Sequence, residues 1–436
     1  MIEINKIIDL KWIGEIPKKW NLIRGKFLFN SKKEINNNLK CKNLLSLTLN
    51  GVLNKDLESS EGLRPEDYES YQIFQKDDLV FKMIDLANVK TSRVGIVHEE
   101  GIMSPVYLRQ ESIKQKIFPK FAYWFYYDLY KKEIYNSIGS GVRSTLSSSD
   151  ILDLYLPVPP VQEQKLISQY LDKKTEKIST LIEKIKKKIE LFKEQRASMI
   201  NQFVTKGLYP NAEMKDSGVD WIGDIPKHWE VSKLKYLSSV ELSTVDRHKY
   251  ENEKKVSICH YTDTYKNEFI DRNTTLPIGT CKEIEIKKFA LQKKDIILTK
   301  DSESPDDIGI PTFVLEDLEN TVCGYHLALV KTKDDSIIPE FLYRYIESKS
   351  VRDYFFISSN GITRFGLGKS SIRELIVVIP PKEEQVLIIK KIQSNSKHIN
   401  EMIKKLLKKI ELLKEYNQSI LSSVVTGKIR VSADKI

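Results

Sequence analysis

The chain states one framework twice. Trp12-Ile13-Gly14-Glu15-Ile16-Pro17-Lys18-Lys19-Trp20 returns 209 positions later as Trp221-Ile222-Gly223-Asp224-Ile225-Pro226-Lys227-His228-Trp229. Pro159-Pro160-Val161-Gln162-Glu163-Gln164 returns 221 positions later as Pro380-Pro381-Lys382-Glu383-Glu384-Gln385. These framing motifs are kept, whereas the residues between them differ in sequence and, by 12, in number. Solenoids need many short repeats, so a single duplication of this size predicts tandem domains. At 436 residues there is room for two or three cores.

Each copy divides into a mixed α/β part and a long helix. The first part has short strand-like runs, Asp78-Leu79-Val80-Phe81 and Val94-Gly95-Ile96-Val97, then a helix-like aromatic segment over 119–135. Its counterpart has Asp295-Ile296-Ile297-Leu298, Ala328-Leu329-Val330 and a helix starting near Pro339. The helical part is marked by strict periodicity. Leu171, Ile178, Ile185, Phe192 and Met199 recur every seven residues, and a shift of 221 gives Ile392, Ile399, Leu406, Leu413 and Ile420. A second seam, Ile182, Ile189 and Phe203, maps onto Ile403, Ile410 and Val424. Seven-residue apolar spacing over this length predicts a coiled coil. Lys184, Lys186, Lys187, Lys188, Lys404, Lys405, Lys408 and Lys409 fall mostly off the seam and read as a solvated face. Proline pairs mark the helix entries, and Gly207 and Gly427 the exits.

Chain length constrains how those helices pair. Residues 161–204 span about 66 Å as a helix, whereas the linker 205–220 reaches at most about 55 Å. Antiparallel pairing avoids a taut return. The expected architecture is therefore two mixed α+β domains in tandem, held at opposite ends of an antiparallel coiled-coil rod and related by a pseudo-two-fold axis. The expected boundaries are domain one at 1–160, helix one at 161–206, a linker at 207–220, domain two at 221–381, helix two at 382–428 and a tail at 429–436.

Hydrophobic content of 41% fits a folded protein, and a net charge of +10 is compatible with a polyanionic partner. Cys41, Cys259, Cys281 and Cys323 form no disulfide-like pattern, so a reducing cytoplasm is expected. Residues 1–10 lack a basic segment followed by an apolar run, so no secretory leader is expected. Nor does any uncharged run approach the roughly 20 residues needed to cross a bilayer, so no membrane partner is expected.

The W-I-G-x-I-P-x-x-W opening, the P-P-x-x-E-Q helix entry and the Val204-Thr205-Lys206-Gly207 helix end occur in a domain–helix–domain–helix order. Over nearly the whole chain this resembles the specificity subunit (HsdS) of type I restriction–modification systems. The second helix departs slightly, ending Val425-Thr426-Gly427-Lys428. The resemblance implies two target recognition domains, each reading one half of an asymmetric bipartite site in double-stranded DNA. It implies helices that space those domains and dock two methyltransferase subunits, with restriction subunits joining to make the nuclease. S-adenosylmethionine, ATP and magnesium would be used by those partners, with no cofactor bound by this chain.

DNA contacts are expected on polar loops. Ser140, Arg143, Ser144 and Thr145 lie on one such loop. Asn360, Thr363 and Arg364 lie on its counterpart, with Arg143 and Arg364 equivalent at the 221 shift. An arginine fork suits guanine edges or phosphates; the alternative is pairing with Asp150 or Glu374. Further candidates are Asn50, Asn88, Lys90, Ser92, Arg93, Tyr261, Asp263, Lys300 and Lys369. The acidic loop 300–307 could accept from a cytosine amine or be a solvated turn. Residues 123–127 imitate a stacking platform but have core-like spacing, and the paired tryptophans read as structural.

No catalytic constellation emerges. The prolines follow Val158 and Ile379, not the Asn or Asp of an amine methyltransferase motif. Gly139 and Gly141 are followed by Ser144, so no G-x-G-x-x-G completes. Gly366-Leu367-Gly368-Lys369-Ser370 imitates a phosphate loop, but its first required glycine falls on Thr363. Pro305-Asp306 with Glu347-Ser348-Lys349 formally matches a nuclease pattern that the first copy lacks. Cys323-x-x-His326 beside Cys259-His260 reads better as buried thiols than as half a zinc site. The rival readings are a self-sufficient methyltransferase or nuclease, and a coiled-coil assembly protein without specific DNA binding.

Overall fold

A computed structural model describes residues 13–55, 68–84, 91–138, 145–432 and 434. The chain forms two compact units, Met1–Lys186 with Leu407–Ile436, and Lys187–Leu406. Each unit therefore contains the N-terminal part of one long helix and the C-terminal part of the other.

In the first unit, a four-stranded antiparallel sheet has the order Phe29–Asn30, Tyr107–Ser112, Leu79–Lys82, Val94–Ile96. Helix Pro119–Lys131 buries Phe121, Ala122, Phe125, Tyr126 and Leu129, the i, i+3 and i+4 stripe that a packed helix requires. The aromatic segment was expected to be helical to residue 135. Glu133 instead takes a left-handed φ of 59° and breaks it, and a short helix resumes at Ile134–Ile138. The stripe joins Leu79, Phe81 and Val94 of the sheet and Ile167, Leu171, Ile420, Leu421 and Val424 of the long helices in one core.

The second unit holds a five-stranded sheet in the order Ser238–Leu242, Leu327–Thr332, Ile296–Thr299, Pro311–Val314, Phe269–Ile270. A three-stranded sheet, Ile278–Cys281, Lys254–Cys259 and Thr321–Cys323, includes a parallel pair. Helix Pro339–Glu347 buries Phe341, Leu342, Tyr345 and Ile346. These join Ile200, Val204, Ile388 and Ile392 of the long helices.

The repeated motifs have one physical role in both units. Strand Asn21–Arg24 pairs antiparallel with Tyr155–Val158, and Glu230–Lys233 pairs likewise with Ile376–Ile379, so the opening of each domain is bonded to its end. Gln164 is fully buried: its amide donates to the Pro159 carbonyl at 2.8 Å and accepts from the Phe118 N–H at 2.6 Å. Gln385 repeats this with Pro380 and Ile338, both at 2.8 Å. The glutamine thus straps the entry of each long helix to the start of its domain's own helix.

The long helices are Val161–Lys206 and Lys382–Val425. In the first unit Thr175 meets Asn417 at 3.4 Å, and in the second Met199 meets Asn395 at 3.2 Å, so position rises along one helix as it falls along the other. Every residue of the two sequence seams is buried or half-buried, and all eight off-seam lysines are exposed. Gly207 and Gly427 end the helices at φ 76° and 75°. A side chain at Gly207 would meet Glu384 and the Trp229 ring at about 3 Å, and one at Gly427 would collide with Pro17 at 2.5 Å. Three of the four paired tryptophans are structural: Trp20 and Trp229 are buried, and Trp221 stacks on Tyr354 at 5.2 Å, while Trp12 lies outside the described residues.

Candidate nucleic-acid interface

In the second unit, two of the polar loops singled out from sequence are joined into one feature. Strand Asp301–Ser302 pairs antiparallel with Phe365–Gly366, and the Leu367 N–H donates to the Lys300 carbonyl at 2.7 Å. Asn360 and Gly366 exchange backbone hydrogen bonds at 3.1 and 2.9 Å, closing the loop that carries Thr363 and Arg364. Gly361 makes this turn possible: its φ is 141°, and an added Cβ would lie 1.9 Å from the Arg364 carbonyl oxygen. The resulting ribbon walls a cleft of about 370 Å³ lined by Tyr261, Tyr265, Asp301, Glu303, His326 and Arg364, among others.

Charge is fixed in the floor and free at the rim. Asp301 Oδ2 accepts from Lys300 Nζ at 2.5 Å and faces His326 Nδ1 at 3.1 Å. Lys300 is buried and lies over the Tyr325 ring at 4.7 Å, so it braces the floor and does not reach outward as a contact residue, contrary to expectation. Asp263 is also already engaged, its carboxylate capping helix Tyr261–Lys266 by accepting from the His260 N–H at 2.9 Å. Burial lowers the pKa of His260, and His326 and Arg247 add to that effect while Asp263 opposes it. Tyr261 and Tyr265, one helical turn apart, are exposed and also line the cleft, the Tyr265 hydroxyl donating to the Asp307 carbonyl at 3.2 Å.

The other candidates separate by burial. Thr363 and Asn360 are exposed beside Arg364. Lys369 lies on the next helix and pairs with Glu241 at 3.1 Å. In the first unit, Asn50 is exposed at the tip of hairpin Leu45–Thr48/Gly51–Asn54. Ser92 and Arg93 were expected on a surface loop but are buried, at 2% and 3% exposure. The chain turns inward there to enter strand Val94–Ile96, and the Ser92 hydroxyl donates to the Val94 carbonyl at 2.8 Å. Thr145 is half-buried. Asn88, Lys90, Ser140, Arg143 and Ser144 lie outside the described residues.

Several groups weighed for other uses have partners among the described residues. Glu374, the proposed alternative partner of Arg364, is held by Lys233 and Lys235 at 2.7 Å each, and those bonds pull its pKa down to about 2. Asp150 serves in the capping box of Ser147. Glu347 of the nuclease-like triplet is bound by Arg344 at 2.6 Å and Arg196 at 3.2 Å. Cys259 and Cys323 lie in register on neighbouring strands, with burial pushing both thiols up.

A profile described as the type I restriction modification DNA specificity domain matches residues 13–191 and again 226–412. The chain belongs to the type I restriction–modification DNA specificity family. Its relatives include the putative type I restriction enzyme MjaX specificity subunit of Methanocaldococcus jannaschii, 23% identical over 445 residues and covering 96% of both chains. The EcoKI specificity subunit of Escherichia coli strain K12 is 22% identical over 309 residues, 69% of this chain and 63% of that one. The same fold is found in a chain solved in work on assembly and conformational transition of the type I system. It has a TM-score of 0.64 at 12% identity and covers 95% of this chain and 100% of that one. The HsdS subunit from Thermoanaerobacter tengcongensis gives 0.53 at 13% identity, covering 95% and 98%.

For this specificity-family chain, sequence reasoning missed Tyr265 and His326 as cleft residues. Tyr265 had a usable signal, its position four residues after Tyr261 on one helical turn. His326 had none, because strand pairing brings it to Asp301 from 25 residues away. Among the described residues no helix is long and apolar enough to cross a membrane.

Proposed function

We propose that this chain is the DNA-recognition subunit of a type I restriction–modification complex, with each of its two domains reading one half of an asymmetric bipartite site. The observation that carries the reading is the specificity-domain match occurring twice, around interiors that differ in sequence and in strand order. A common frame with unlike contents suits one kind of partner engaged at two unlike sequences. The ribbon and cleft of the second domain support contact with a base edge: an exposed arginine, exposed carboxylates and two tyrosines share one concave surface. On the first domain, Asn50, Arg143 and their loop neighbours are the proposed equivalents.

Catalysis is assigned to partners. Two methyltransferase subunits would use S-adenosylmethionine, and restriction subunits ATP and magnesium; this chain would dock them through its long helices and bind none of these cofactors. Flipping the target adenine out of the duplex costs a few kcal/mol, which the recognition energy of this chain would help to offset. Mapping methylated adenines in the host genome with and without the gene tests the proposal. A two-part motif that disappears with the gene is expected. Methyl transfer or DNA cleavage by the purified chain alone would refute it in favour of an enzyme. Binding without sequence preference would favour an assembly protein.

A further inference from the structure

The cleft of the second unit supports a more specific assignment, which rests on the DNA-recognition reading above. The short ribbon pairs Asp301 with Gly366 and Ser302 with Phe365. One further step along this antiparallel register brings Glu303 opposite Arg364. Both residues are exposed, and both line the cleft. Neither side chain has a hydrogen bond or ion pair to a described residue, although their charges are opposite and their positions adjacent. The neighbouring carboxylate, Asp301, is by contrast paired with Lys300 and in contact with the His326 ring. A donor fork and an acceptor thus stand side by side at the tip of a two-stranded ribbon, the kind of element that the major groove admits.

We propose that this pair reads one G·C base pair in the second half-site. Arg364 donates two hydrogen bonds to guanine O6 and N7, and Glu303 accepts from the N4 amine of the paired cytosine. An A·T pair offers the arginine one acceptor at most and presents its amine on the other side of the groove. The Asp301–Lys300–His326 floor positions the ribbon; it is not itself the reader.

The test is selection of a randomised 40-base-pair duplex library by the full chain in its modification complex, comparing wild type with Arg364→Lys, Arg364→Ala and Glu303→Ala. Wild type should enrich a bipartite motif with a G·C pair in the half assigned to the second domain. Arg364→Lys keeps the charge but loses the fork, so preference at that position should fall by roughly 5- to 150-fold. Glu303→Ala should weaken preference at the same position, and the first half-site should be unchanged in all variants. A second half-site without G·C would overturn the assignment, as would an Arg364→Lys variant with unaltered preference, which marks a phosphate contact. Equal weakening on every sequence by Arg364→Ala would overturn it too. In each of those outcomes the bipartite motif survives and the wider reading stands. A wild-type complex enriching no motif would remove both.

Discussion

At the scale of single residues, the second unit contrasts buried charges that hold it together with exposed ones free to act. Arg344, only 1% exposed, binds Glu268 at 2.7 Å and Glu347 at 2.6 Å, and Arg196 of the first long helix binds the same two carboxylates. Two cations closed on two anions fix the sheet domain to its helix. Replacing Arg344 by Met leaves carboxylates short of a partner inside the fold and should cost about 3–5 kcal/mol in urea unfolding. Lys349→Ala, which breaks the exposed pair with Asp353, should cost under about 0.5 kcal/mol. His260 gives a pH-dependent counterpart. Burial lowers its folded pKa, so the unfolded chain binds the extra proton first as pH falls. Stability from the neutral ring is present above the unfolded value near 6.5 and declines through the window down to the lowered folded value. His260→Asn should therefore lose less stability than wild type between about pH 7.5 and 5.5; an identical loss would dismiss this account.

Among the structural elements, the long helices and the framing motifs were legible in the sequence because their signals are local. A seven-residue apolar repeat needs no knowledge of the rest of the fold, and its seam residues are the ones packed. The role of the motif glutamines was not legible, since Gln164 meets the Phe118 N–H across 46 positions and Gln385 meets Ile338 across 47. Sheet order was equally hidden: Ser238–Leu242 finds Leu327–Thr332 only after ninety or so residues have folded between them. Burial of Ser92 and Arg93 escaped notice for the same reason, as a polar loop sequence does not reveal what folds over it. Gln385→Ala should remove three hydrogen bonds, from the Ile338 N–H and to the Ser336 and Pro380 carbonyls. Leaving those backbone groups short of a partner, the buried Pro380 carbonyl among them, should destabilise the second unit by about 1–3 kcal/mol, read by chemical denaturation. Gln164→Ala should do the same to the first, and a neutral result at both would show that the strap is dispensable.

For the molecule as a whole, duplication separates framework from content. Opening strand, closing strand, glutamine strap and helix-ending glycine recur in each unit, while among the described residues the sheets between them differ in strand order. Such a division lets each domain's interior change without disturbing the frame that carries it. The most direct measurement is therefore an exchange: residues 21–158 are replaced by the corresponding segment of a relative, and the methylated motif is mapped in cells carrying the chimera. One half of the motif should change to the donor's while the other half stays as it was. A motif altered in both halves, or in neither, would contradict the assignment of one domain to each half-site.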